Sequence, residues 1–161
     1  MIILINTLVV IATFIVMEGV AWFSHKYIMH GFLWNLHEDH HYKGEGQFFE
    51  KNDSFFLIFA TPSASSFIFG SIMGLDKPIF WIGVGIALYG IAYFLIHDVF
   101  IHQRFKWLRN ANSAYFRAIR RAHKVHHKRL GKEDGECFGM LWVPLRYYKE
   151  AQKDIDRLKS A

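Results

Sequence analysis

With 161 residues the chain suits one domain, and its 52% hydrophobic and 17% aromatic content exceeds what a soluble domain of this size carries. Its single cysteine, Cys137, excludes an intrachain disulfide and a cysteine-based zinc finger. A net charge of +5 is modest, so only the placement of that charge along the chain discriminates among functions.

The first element is the apolar run MIILINTLVVIATFIVMEGVAWF, Met1 to Phe23. It is long enough for the roughly 20 residues a helix needs to cross a bilayer core. It has no basic leading segment and no small-residue cleavage site after it, so it is expected to be a retained span and not a signal peptide. The second run is Ser54 to Leu75 and the third Pro78 to Ile96, with Asp76 and Lys77 between them as a tight hairpin. A fourth patch, FGMLWVPLRYY from Phe138 to Tyr148, is too short to span and contains Pro144 and Arg146. It is expected to lie at the membrane interface or to pack on the domain.

These runs predict an all-α integral membrane protein of three or four transmembrane helices with a histidine-rich helical cap. One domain, 1–161, would hold spans at about 1–23, 54–75 and 78–96. Segments 24–53 and 97–161 then share one side. Of 19 Lys and Arg, three lie in the first segment (Lys26, Lys43, Lys51), 15 in the tail, and only Lys77 opposite. The positive-inside rule makes the shared side cytoplasmic, as in a multi-pass protein of a bacterial inner membrane. All ten histidines fall on that side or at its boundary.

The histidines form four clusters. His25 and His30 make HxxxxH, and His37, His40 and His41 make HxxHH. His97 and His102 make HxxxxH again, and His123, His126 and His127 make HxxHH again. On an α-helix, residues at i, i+3 and i+4 share a side, so each HxxHH presents three imidazoles together. The i, i+5 pair falls about 140° apart on a regular helix. Either its two rings serve different metals, or the helix ends or distorts within the motif. One zinc site needs about four ligands and a bis-histidine haem two, whereas ten imidazoles can fill most of the coordination sphere of two ions. Imidazole suits iron, zinc, copper and nickel alike. Two HxxHH helices, each with an HxxxxH partner, could enclose two metals from opposite sides.

In this order the motifs resemble those of the membrane di-iron hydroxylases and desaturases of the fatty acid hydroxylase and sterol desaturase superfamily. The stretches HKYIMHGFLWNLHEDHH, EKND (Glu50 to Asp53), YGIAYFLIHDVFIHQRF and RAHKVHHK are similar to its bacterial-type β-carotene hydroxylase branch. The resemblance implies a non-haem centre of two iron ions, for which zinc could substitute in a structure. The metal-binding role would fall on His25, His30, His37, His40, His41, His97, His102, His123, His126 and His127, with no further catalytic residues. It implies hydroxylation at carbon 3 of the β-ionone rings, taking β-carotene to zeaxanthin through β-cryptoxanthin. It also implies O2 as co-substrate and a ferredoxin-type electron donor. Within the same superfamily the alternatives are a sterol or fatty-acyl hydroxylase, a desaturase and a carotenoid ketolase. A membrane haem or metal carrier is the non-enzymatic alternative.

Several other residues carry expectations. Glu18 is the only charged residue inside the first span, and intramembrane acids are costly and often functional. It is expected to support a ligand by accepting an N–H from a histidine, or to pair with a Lys or Arg. Asp98 could orient His97 in the same way. Asp39 is expected on the opposite helix face, and Asp53 as the cap of the second span. Trp22, Phe23, Tyr27, Phe94 and Phe100 could line a route from the bilayer to the metals, or form an ordinary interfacial belt. The basic tail is explained by anchoring to anionic headgroups, compatible with docking of an acidic electron donor and not calling for nucleic acid.

Overall fold

A computed structural model describes residues 1–42 and 48–160; Lys43 of the charge count lies outside the described residues. All regular structure among the described residues is helical. Three helices form the apolar part: α1 (Ile2–Phe23), α3 (Ser54–Met73) and α4 (Pro78–Phe94). Each, with the helical turns continuous with it, is long and apolar enough to cross a membrane. Leu4, Leu8 and Ile15 of α1 and Phe56, Leu57 and Phe69 of α3 turn outward, as lipid-facing positions do.

Both α1 and α3 pack on α4, and small residues let them close. Ser63 Oγ donates to the Gly83 carbonyl at 2.9 Å, which ties α3 to α4. A Cβ on Gly70 would come within 2.5 Å of the Phe80 backbone nitrogen, so only glycine permits this approach. The hairpin between α3 and α4 takes four residues, not two. Gly74 has φ 107°, a left-handed conformation that terminates α3. Lys77 N donates to the Gly74 carbonyl, and Pro78 then opens α4. Leu75 therefore belongs to the turn.

The histidine motifs gather at one end. Helices α1 and α4 run on into π-helical turns, Ser24–Phe32, which is kinked at Gly31, and Leu95–Ile101. Helix α2 (Trp34–His41), a 3₁₀ turn (Lys51–Asp53), α5 (Ala114–His127) and α6 (Leu145–Ser160) complete that end. Ser113 caps α5 by accepting from Phe116 N. Helix α6 covers the outer face of α5 through Tyr147 and Ala151 on Ala118 and Ala122, and Arg121 pairs with Glu150 and Asp154.

A Gly70→Ala substitution pushes a methyl into the Phe80 backbone and should cost about 1–3 kcal/mol. It should lower the thermal midpoint of the detergent-solubilised protein. Gly90→Ala, where nothing lies within 4 Å, should leave that midpoint unchanged or raise it.

Candidate metal centre

The two HxxxxH motifs occupy the two π-helical turns. Leu33 N donates to the Ile28 carbonyl at 3.0 Å and His102 N to the His97 carbonyl at 2.9 Å, both i to i−5 bonds. That bonding brings residues five apart into register, so His25 sits beside His30 and His97 beside His102, with ring centroids 5.1 and 4.5 Å apart. Of the two options left by the spacing, the structure adopts the distorted helix.

The rings form two abutting groups. One ring nitrogen from each of His25, His30, His37, His41 and His126 lies within 4.8 Å of the others. The same holds for His40, His97, His102 and His123. His127 stands where the groups meet, its ring centroid 4.5 Å from His41 and 4.5 Å from His123. Neither HxxHH helix therefore serves one group alone. His37 and His41 stay with the HxxxxH pair of their own half, while His40 crosses to the other group. In the second half His123 stays and His126 crosses.

Seven of the ten rings are buried, and in six of them Nδ1 is bonded to an oxygen that can only accept. His25 Nδ1 donates to the Phe138 carbonyl at 2.9 Å, His30 Nδ1 to Leu130 at 2.8 Å and His126 Nδ1 to Glu136 at 3.1 Å. His37 Nδ1 donates to the Asn52 amide oxygen at 2.7 Å and His40 Nδ1 to the Glu50 carboxylate at 2.8 Å. His97 Nδ1 lies 3.2 Å from Asp98 Oδ2. These acceptors fix the tautomer, leaving Nε2 of each neutral ring as a bare lone pair.

The bare nitrogens face one another. Nε2 to Nε2 distances are 3.2 Å for His30 and His126, 3.1 Å for His25 and His37, and 3.0 Å for His40 and His97. Opposed lone pairs at that range repel unless a cation lies between them. His41 Nδ1 and His127 Nε2 are buried and have no hydrogen-bond partner among the described residues. Burial first, then the neighbouring rings, push His37 down to about 3 and His127 to about 4, and hold His40 and His123 well below the usual histidine value. These four rings are thus neutral at pH 7, the state in which imidazole binds metal. The arrangement is compatible with metal binding, and its donors are all nitrogen.

The EKND stretch organises the surroundings of both groups, a role its spacing did not reveal. Glu50 and Asn52 hold His40 and His37, and Lys51 N donates to Asp39. Asp53 is not a side-chain cap of α3. Its carboxylate accepts from Glu50 N and pairs with Arg104. Arg104 also pairs with Asp98 at 2.8 Å and donates to the Phe48 carbonyl. One guanidinium thus steadies Asp98 behind His97 directly and reaches Glu50 behind His40 only through Asp53, which accepts from Glu50 N. Glu18 contacts no histidine and no basic side chain among the described residues. It accepts from Tyr89 and from the backbone N–H groups of Met140, Leu141 and Trp142. Phe100 lines no route: it is fully buried, with Arg120 stacked 4.3 Å from its ring. Trp22, Phe23, Tyr27 and Phe94 lie on the outer surface.

Comparison with known proteins bears on this geometry. The fatty acid hydroxylase family model matches residues 10–145. A β-carotene hydroxylase of Pseudescherichia vulneris is 41% identical over 142 residues, 87% of this chain and 78% of the relative. One of Pantoea ananas is 40% identical over 139 residues, 86% and 78% of the two chains. The chloroplastic β-carotene hydroxylase 1 of Capsicum annuum is 36% identical over 148 residues, 88% of this chain and 46% of the relative. No solved structure matches the chain.

Lysine cannot bridge two carboxylates and a carbonyl as the guanidinium of Arg104 does. Arg104→Lys should weaken metal binding by the group of His40, His97, His102 and His123 by roughly 10-fold or more and spare the other group. Removal by a chelator, followed by metal analysis, should show metal leaving the variant earlier than the unsubstituted protein.

Proposed function

The chain belongs to the fatty acid hydroxylase family, and on that premise we propose that it is an O2-dependent hydroxylase of carotenoid rings. It adds hydroxyl at carbon 3 of the β-ionone rings of β-carotene, giving β-cryptoxanthin and then zeaxanthin. The observation that carries this reading is the identity of about two residues in five with bacterial β-carotene hydroxylases across most of both chains. The paired histidine groups supply the matching chemistry.

In this reading the ten histidines hold two iron ions. His25, His30, His37, His41 and His126 serve one, and His40, His97, His102 and His123 the other. His127 completes the second set as the counterpart of His41. Bound iron supplies the activation of O2 with electrons from a ferredoxin-type donor. The chain's own residues do the rest. The acceptors on Nδ1 of His25, His30, His37, His40, His97 and His126 keep the Nε2 of those rings unprotonated and aimed inward. Phe138 and Phe55 wall the rings, at centroid distances of 5.5 Å from His25 and 6.3 Å from His37, and exclude water there. Three spans keep the site at the bilayer surface, where an apolar polyene can stay in lipid and present one ring. The bias of basic residues supports a reading in which that surface faces the cytoplasm of a bacterium, within reach of a soluble donor.

The test is expression in a bacterial strain that accumulates β-carotene, with pigments identified by chromatography and mass. Zeaxanthin and β-cryptoxanthin are expected, and both should vanish with His40→Ala or His126→Ala. Keto-carotenoids would move the chain to a ketolase reading. Unchanged β-carotene beside iron-loaded protein would point to sterols or fatty acyl chains.

A further inference from the structure

Glu18 lies five residues before the end of α1 and four before Trp22, so it sits about 6 Å deeper than that residue along the axis. Around it α1 exposes Ile15, Val16 and Val20, an apolar surface of the kind lipid covers. A carboxylate at such a depth is costly and needs partners. Its partners come from a segment outside the helices. Oε1 accepts from Met140 N at 3.0 Å, Leu141 N at 3.0 Å and Trp142 N at 2.9 Å, while Tyr89 OH donates to Oε2 at 2.7 Å. Nearby carbonyls are paired too. Tyr115 OH donates to the Leu141 carbonyl at 2.9 Å, and His25 to that of Phe138.

The side chains of this segment divide sharply. Phe138 and Met140 are 3% and 2% exposed, whereas Trp142 and Leu145 are 79% and 72% exposed. A loop in water has solvent for its amides and does not need a carboxylate to satisfy them. Non-helical backbone at membrane depth must instead find every partner inside the protein while its apolar side chains face out. We propose that Phe138–Leu145 is a re-entrant segment seated among the acyl chains of the bilayer, with Glu18 as the cap for its backbone and Trp142 as its lipid-facing side chain. The segment separates lipid from the site. A cavity of about 10 Å³ behind it is lined by Trp142, Met140 and Val143 on one side and by Ile119 and His123 on the other.

The inference rests on the reading of three membrane spans, and the experiment separates the two. Single cysteines in a Cys137→Ser background are treated with a hydrophilic maleimide, in native membranes permeabilised so that both faces are open. Leu8→Cys on α1 reports the spans, and Lys132→Cys, exposed on the loop before the segment, reports access to water. Trp142→Cys should react about 10-fold or more slowly than Lys132→Cys and match Leu8→Cys. Leu145→Cys serves in its place if the tryptophan variant does not accumulate. Labelling of Leu8→Cys at the Lys132→Cys rate would overturn the spanning reading itself. Protection of Leu8→Cys with full labelling of the segment position would overturn the insertion alone. Adding Glu18→Ala should release the segment and raise its labelling about 10-fold; an unchanged rate would overturn the role given to Glu18.

Discussion

Ten imidazoles share one small volume, six of them with the Nε2 lone pair turned inward, and the rest of this end of the molecule answers to that constraint. A lone pair aimed inward requires a proton on the other ring nitrogen, and that proton requires an acceptor. The acceptors come from segments that look incidental in the sequence: the carbonyls of Leu130, Glu136 and Phe138, the Asn52 amide, and the Glu50 and Asp98 carboxylates. The loops from 48 to 53 and from 130 to 138 are therefore part of the centre as much as the helices that bear the rings.

The crossing of His40 and His126 follows from helical geometry. Residues at i and i+4 stand about 40° apart around the axis, while i+3 and i+4 stand about 100° apart. A helix lying between two groups can thus direct i and i+4 to one and i+3 to the other. Each HxxHH does this, so the two halves exchange one ring and neither group is complete without both. A regular α-helix could not add the HxxxxH pair, because i and i+5 point apart. The π-helical turn removes the mismatch and does so at the end of a long helix, where the altered register disturbs no packed turns downstream.

The spans were legible because bilayer thickness fixes the length and apolarity of a helix, and Ile2–Phe23 needs little else to declare itself. The gathering of the histidines was legible because their spacing repeats, and the structure brings nine of them into two groups compatible with metal binding. What stayed hidden depends on contacts distant in sequence. The π register of Ser24–Phe32 is a choice between i−4 and i−5 bonding, and the i−5 choice sets His25 beside His30. Arg104 reads as one of 15 basic residues in the tail until it meets Asp53 and Asp98. Asp53 reads as a helix cap because it precedes α3, but the guanidinium and Glu50 N claim its carboxylate first. Glu18 was recognisable as unusual, yet its backbone partners lie more than 120 residues away.

The two groups differ in what stands behind them. His25, His30, His37 and His126 donate to neutral carbonyl and amide oxygens, whereas His40 donates to a carboxylate and His97 lies against another. A carboxylate behind an imidazole raises its basicity more than a carbonyl does, so the second group offers the stronger donors. Asp98 is only partly shielded from that role, because Arg104 divides its charge between Asp98 and Asp53. The same division keeps two acids from standing unneutralised beside a bilayer, where an unpaired charge is expensive. One guanidinium thus meets two demands at once: it holds Asp98 where His97 needs it, and it shares its positive charge between Asp98 and Asp53 where lipid begins.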